Sequence, residues 1–313
     1  VEEFKKEKQR LYKIESEIEK LKFNCLFEGC TGEAQKSHSQ QKQGSLLAIS
    51  NKNKEVYALD SNIARSYDVK TGNLSVQFRK KRIASASTFP GFCVKHEAIF
   101  SVFEKNGLEP FNDEHACYLS YRTIGYELAR QRESKIRHEK LQFGKLRHDY
   151  LAYSIEKELT PLMKSLMSVI EKQSYDEIET IWHVVPRNLG VSCSSCISLY
   201  DGIAEDFYMQ SNNGELPTFT FDVIPSKLET IIVITWLKKF DYYSKWLKDA
   251  KDNLSDFERL INRFIFFDSE DICIDPALFK GSKKIQDVVE QVSHVIDRRL
   301  IHEMKVPILI KVQ

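Results

Sequence analysis

Long apolar runs are missing from this chain. The longest largely apolar stretch, residues 231–237, is far short of the ~20 residues a membrane-spanning helix needs, so no membrane partner is expected. The opening residues, VEEFKKEKQR, lack the apolar core of a secretory leader, and a cytoplasmic setting is the expectation. Also missing are a Walker loop, a GxGxxG turn and any internal repeat, which leaves the common nucleotide-binding signatures and the solenoid architectures without support. Strong net charge is absent too: 46 basic against 45 acidic side chains leave +1. Seven cysteines without a leader argue for free thiols or metal ligands over a disulfide framework.

What is present is unevenly distributed. Residues 1–150 carry seven more basic than acidic side chains, and the remainder six more acidic than basic. The densest basic run, Arg79, Lys80, Lys81 and Arg82, is a candidate contact for nucleic-acid phosphates, although such runs are commonly solvated loops. At 313 residues the chain has room for two domains. Residues 2–22 read as a charged helix in which Phe4, Leu11 and Ile18 repeat at seven with Ile14 and Leu21 between them. That stripe fits pairing with a second copy or another protein, or packing on its own body.

Residues 25–112 form a loop-rich region with short strand-like runs, EVYAL and LSVQF. Regions with so little core often need a metal. Residues 113–175 read as a helical connector, with a break expected at Gly144 and His148. Residues 176–313 read as an α+β domain of unassigned role. WHVVP, VSCSSCISLY, FTFDVIP and ETIIVITWL are strand-like, helices are expected near 241–267 and 283–303, and VPILIKV is expected as a last strand.

Two ligand pairs stand out. Cys25-x4-Cys30, with Gly29 at its turn, follows the first helix. A tight Phe-Pro-Gly turn then delivers Cys93-x2-His96. Three thiolates and one imidazole suit a tetrahedral Zn2+ ion, with the second pair supplied from a distant turn. The competing reading is of unpaired cysteines packed as small hydrophobes.

The order Cys25-LFEG-Cys30, then Ser37-His38, then Cys93-VK-His96-Glu97 and Glu104 resembles the HNH (ββα-metal) endonucleases, over residues 25–105. The chain is also similar to an uncharacterised group of bacterial proteins with the pattern SH…ASTFPGFC..H. The HNH resemblance implies a treble-clef zinc module and a metal-dependent nuclease acting on phosphodiesters, in bacterial defence against foreign DNA. His38 would match the general base, and Glu97 would hold Mg2+ or Mn2+ at the leaving oxygen. The chain departs from that family in having one His where two are common and no Asn at the middle position. His38 as a structural residue, within a non-catalytic zinc-bearing module that binds nucleic acid or protein, is the alternative. The overall expectation is α+β: an N-terminal zinc-stabilised treble-clef-like module, central long helices, and a mixed or antiparallel C-terminal sheet with packed helices.

Three weaker patterns have plainer explanations. Cys193 and Cys196 lie in a strand-like run, where they read as core cysteines on opposite faces. Arg132 and His138 are similar in spacing to the pair of HEPN-type ribonucleases, but the surroundings are crowded with charge. The aromatic clusters at 240–243 and 264–267 read as core.

Overall fold

The computed structural model describes residues 2–60, 62–73, 77–105, 107–141, 145–198, 217–240, 242–293 and 307–312. Nine strands form two sheets among these residues. A small ribbon pairs β1 (Lys36–His38) with β4 (Thr88–Pro90). The large sheet contains β2 (Glu55–Asp60), β3 (Gln77–Arg82), β5 (Ile178–Val185), β6 (Val191–Ile197), β7 (Phe219–Pro225), β8 (Thr230–Leu237) and β9 (Ile272–Ile274). Its order is β3-β2-β9-β6-β7-β8-β5, and the pairings are antiparallel.

Every residue of β8 is buried, which accounts for its continuous apolar run: a strand covered on both faces has no need to alternate. One cover is α5 (Asp113–Leu141). Its Ser120 hydroxyl lies 2.7 Å from that of Thr220, and Thr123 donates to Asp222 Oδ1 at 2.9 Å. The helices α6 (Lys145–Tyr153) and α7 (Thr160–Lys172) follow, joined by a π-helical turn over Ser154–Leu159. The other cover is a π-helical turn over Phe264–Asp268, where the Phe264 ring sits 5.2 Å from both Phe219 and Phe221. Strand alternation thus gives β7 one polar face toward α5 and one aromatic face away from it.

The region 25–112 does not close on itself. The β2–β3 hairpin continues the large sheet through Tyr57↔Ile274 and Ala58↔Cys273. Leu46, Ile49, Val56, Ala58, Ile83 and Ala86 share a core with Cys273. The hairpin thus borrows its apolar cover from residues more than 200 positions away.

The first helix, α1, spans Glu2–Glu19. Its stripe is covered by the chain itself: Leu11, Ile14 and Ile18 pack with Ala64, Tyr67 and Leu141. Arg137 on α5 donates to both carboxylate oxygens of Glu15, at 2.8 and 3.3 Å. A homodimer or protein partner through this seam is therefore unsupported, because Phe4, Leu11, Ile14 and Ile18 are already packed within the chain, and only Leu21, past the end of the helix, is exposed.

Two further expectations are corrected. The stretch expected as one helix over 241–267 is two helices, Tyr242–Asp252 and Leu254–Arg263, followed by the π-helical turn. Asn253 breaks it by capping the second helix, accepting from the N–H of Ser255. The last expected strand, as far as it lies within described residues 307–312, is not in a sheet. Asn262 takes the place of a β partner: Oδ1 accepts from the N–H groups of Leu309 and Ile310, and Nδ2 donates to the Ile310 carbonyl. Glu258 accepts from the Val312 N–H at 3.0 Å. Asn262→Ala would strand these buried groups, so it is expected to lower unfolding stability by about 2 kcal/mol. Urea titration checks this, and a change within error would show that the strap contributes nothing. Gly144 and the end of the helix expected over 283–303 lie outside the described residues, while His148 lies within α6, not at a break.

Candidate metal centre

The first ligand pair is carried by a narrow ribbon. Asn24 and Glu33 bridge, Cys25 N–H donates to the Gly32 carbonyl, and Ala34 N–H donates to that of Phe23. The turn between requires Gly29 at φ +72°, the left-handed region that glycine enters without Cβ strain. Gly32 serves close approach instead: a Cβ there would lie 3.3 Å from Cys93 Cβ and 3.4 Å from Cys30 Sγ.

The second pair opens a helix. Cys93 is the residue before α3 (Val94–Glu97), and its carbonyl accepts from the N–H groups of His96 and Glu97. The helix continues through a tight turn into α4 (Ser101–Glu104). Phe92, fully buried, anchors this start against α5: a Cβ on Gly125 would lie 2.9 Å from its ring.

Cys25, Cys30, Cys93 and His96 converge, with ligand atoms all within 4.8 Å of one another. Cys30 Sγ lies 3.9 Å from Cys93 Sγ, and His96 Nδ1 lies 3.4 Å from the sulfurs of both Cys25 and Cys93. Metal–sulfur bonds of about 2.3 Å and metal–nitrogen bonds of about 2.0–2.1 Å give tetrahedral edges of roughly 3.8 Å between sulfurs and roughly 3.5 Å from sulfur to nitrogen. These three of the six edges are close to those values and the remainder lie within 4.8 Å, so the group could hold a metal ion such as zinc.

The surroundings suit the same chemistry. The Gly32 N–H points at Cys30 Sγ (3.4 Å) and the Cys93 N–H at Cys25 Sγ (3.3 Å), contacts that favour thiolates. Burial pushes the Cys25 thiol up to about 11, whereas the His96 N–H holds the Cys93 thiol below its ordinary value. Burial lowers His96, with Lys95 adding to the effect, which keeps the imidazole neutral as a ligand must be. Phe27 stacks on the His96 ring, 3.8 Å between centroids and 6° between planes, fixing its orientation.

No known family model, curated protein or solved structure matches this chain.

The remaining candidates fall elsewhere. His38 is half-buried in β1, where its Nδ1 lies 3.1 Å from the Ala86 carbonyl. Its pKa is lowered to about 4 by burial and then by Lys42. Glu97 is engaged by Ser37, whose hydroxyl donates to Oε2 at 2.5 Å. Neighbouring strand residues point to opposite faces, so Ser37 takes the position against Glu97 and His38 turns away. Among the described residues, neither His38 nor Glu97 joins a cluster of metal-ligating groups.

The basic run is an edge strand, and alternation divides it. Arg79 and Lys81 lie toward buried Asp60, at 3.7 and 3.5 Å, while Lys80 and Arg82 are exposed. Only two of the four cations are thus free of that carboxylate. Cys193 and Cys196 lie in β6 as free thiols, raised well above the ordinary thiol range by burial. Arg132 and His138 are both half-buried on α5, and six positions turn a helix through about 600°, so they do not share a face.

Sequence reasoning missed Arg122. It lies on α5 with its side chain 2% exposed, donates to Glu104 at 2.6 Å, and stands over the rings of Phe100 and Phe103. Its signal was a lone cation within the aromatic stretch ACYLSYRTIGYELA.

Proposed function

We propose that the chain is a non-catalytic zinc-bearing protein whose metal fixes a ribbon and an adjoining hairpin for recognition of nucleic acid. The observation that carries this is the completeness of the ligand set: three thiols and one imidazole at tetrahedral spacing. Structural zinc sites use four protein ligands, whereas catalytic ones keep a position open for water or substrate. A treble-clef-like arrangement is consistent with one ligand pair on a ribbon turn, the other at a helix start and the β1–β4 ribbon between them.

The recognition surface in this reading is the exposed end of the β2–β3 hairpin, where Lys52, Lys54, Lys80 and Arg82 project into solvent. From the end of β3 the chain passes through a turn over residues 83–87 into β4 and Cys93, linking the hairpin to the metal centre. Phosphate contacts of this type bind without sequence preference and weaken steeply with salt. The Lys80→Glu, Arg82→Glu double variant is expected to bind a labelled duplex or single strand at least tenfold more weakly at low salt. Its log–log salt dependence should be shallower by about 0.9 for each lost duplex phosphate contact. Equal affinity and equal slope would remove this surface from the proposal.

A second reading, a nuclease using His38 as base, is favoured by one contact. A hydrogen bond from Nδ1 to the Ala86 carbonyl would leave Nε2 as the acceptor of the neutral imidazole. Plasmid DNA and single-stranded RNA incubated with Mg2+ or Mn2+ separate the readings. The non-catalytic reading expects no cutting by zinc-loaded wild type. Metal-dependent cutting lost in His38→Ala at equal zinc content would replace it with the nuclease.

A further inference from the structure

A small cavity lies where the chain leaving β1 meets α5 and the large sheet. Gln40 and Ser39 reach it from the end of β1, Arg122 from α5, and Ser192 and Ser194 from β6. Leu119 and Val223 form part of its apolar wall, and the volume open to the centre of a water molecule is about 10 Å³. That is close to the minimum for one water molecule.

Two of the residues that line this cavity carry a buried side-chain atom with no protein partner. Gln40 is 3% exposed; its Nε2 donates to the Asp271 carbonyl at 2.7 Å, while its Oε1 has no protein partner. Arg122 is 1% exposed; its Nη1 is taken by Glu104, while its Nε–H has none. One is an acceptor and the other a donor. A buried polar atom left unpaired costs about 1–3 kcal/mol, so both demand a partner.

Charge decides what that partner is. Arg122 is already matched by Glu104 and acts on the buried Asp222 carboxyl, while Asp271 lies against Gln40 through its carbonyl. An anion would meet the Gln40 oxygen and these carboxyl groups; a cation would meet the guanidinium. The remaining class is a neutral group of hydroxyl size that accepts from Arg122 and donates to Gln40. We propose that this cavity is the site of one internal water molecule, bridging Arg122 Nε and Gln40 Oε1 and so tying the segment that follows β1 to α5. The inference concerns the seam between the end of β1, α5 and β6 and stands whether or not the chain binds nucleic acid.

A crystal structure of the full zinc-loaded chain at a resolution that orders internal solvent tests it directly. One peak is expected within about 3 Å of both atoms. A rotating-frame Overhauser experiment on the same protein should connect the Arg122 Nε–H to a water resonance. Gln40→Met keeps the bulk of the side chain and removes both amide functions, so that cross-peak should be lost. Cavity density that is flat in wild type, with either atom bonded to another protein group, would overturn the proposal. So would a cross-peak unchanged in Gln40→Met. If that variant does not fold, the wild-type density and cross-peak decide the question alone.

Discussion

Cys93→Ala is expected to abolish stoichiometric zinc and to unfold the ribbon that carries Cys25 and Cys30. Within the ribbon the cross-links between residues 23 and 34 are a few backbone hydrogen bonds, although Cys25, Leu26 and Phe27 also pack on the main core. A bound ion would offset the mutual repulsion of the thiolates in the folded chain. Structural zinc binds finger peptides with about 10–16 kcal/mol at neutral pH. Part of that is recovered here because Phe92 and Phe100 remain anchored on α5, so a loss of roughly 4 kcal/mol or more in unfolding stability is expected. Zinc content by elemental analysis and thermal unfolding with and without chelator measure the two effects. Cys193→Ala, in the sheet core and outside the ligand group, should keep full zinc content. A metal-free protein with unchanged melting and unchanged ribbon amide protection would show that the four side chains meet without need of an ion.

The ligand group was legible because each pair is local. A knuckle with its glycine and a helix start after Phe-Pro-Gly are short-range patterns, and only their meeting is long-range. The strands of the large sheet were legible for the same reason: runs such as FTFDVIP and ETIIVITWL have the residue types of buried strands. Neighbourhood was not legible. Nothing near EVYAL announces that Tyr57 pairs with Ile274, because antiparallel partners are chosen by the whole fold. The basic run was misjudged through register, since alternation sent Arg79 and Lys81 toward Asp60. The segment VPILIKV has the composition of a strand, yet the side chains of Asn262 and Glu258 satisfy its backbone. Local composition therefore indicated a segment with buried apolar residues, here Ile310 and Val312, and the choice of partner lay elsewhere.

Two buried groups should give the protein an unusual dependence on pH. Burial pushes the carboxyl of Asp222 up to about 7, against hydrogen bonds from Ser194 and Thr123 and the charge of Arg122, which act to lower it. A carboxyl raised in the folded state binds its proton more tightly there than in the unfolded chain. Its contribution is fully present below the unfolded value of 3.8 and is lost as pH rises through 7. His38 has the opposite sign. Its folded value is about 4 against 6.5, so its contribution is present above 6.5 and is lost as pH falls through 4. Its partial exposure screens that contribution, so it is expected to be the smaller of the two. Between pH 4 and 6.5 the two oppose each other, and the wild-type profile should be correspondingly shallow. Asp222→Asn keeps the shape and an acceptor for Thr123 but removes the titration, leaving His38 and the metal ligands to destabilise the protein on acidification. The stability difference between wild type and variant should therefore grow in favour of wild type from pH 7 to pH 4, by at most about 4 kcal/mol at 1.36 kcal/mol per unit. Urea unfolding of both proteins in matched buffers reads that difference and cancels the protonation of zinc ligands common to both. Parallel profiles across the window would mean that Asp222 is ionised in the folded chain, held so by Arg122 and its two hydroxyl donors.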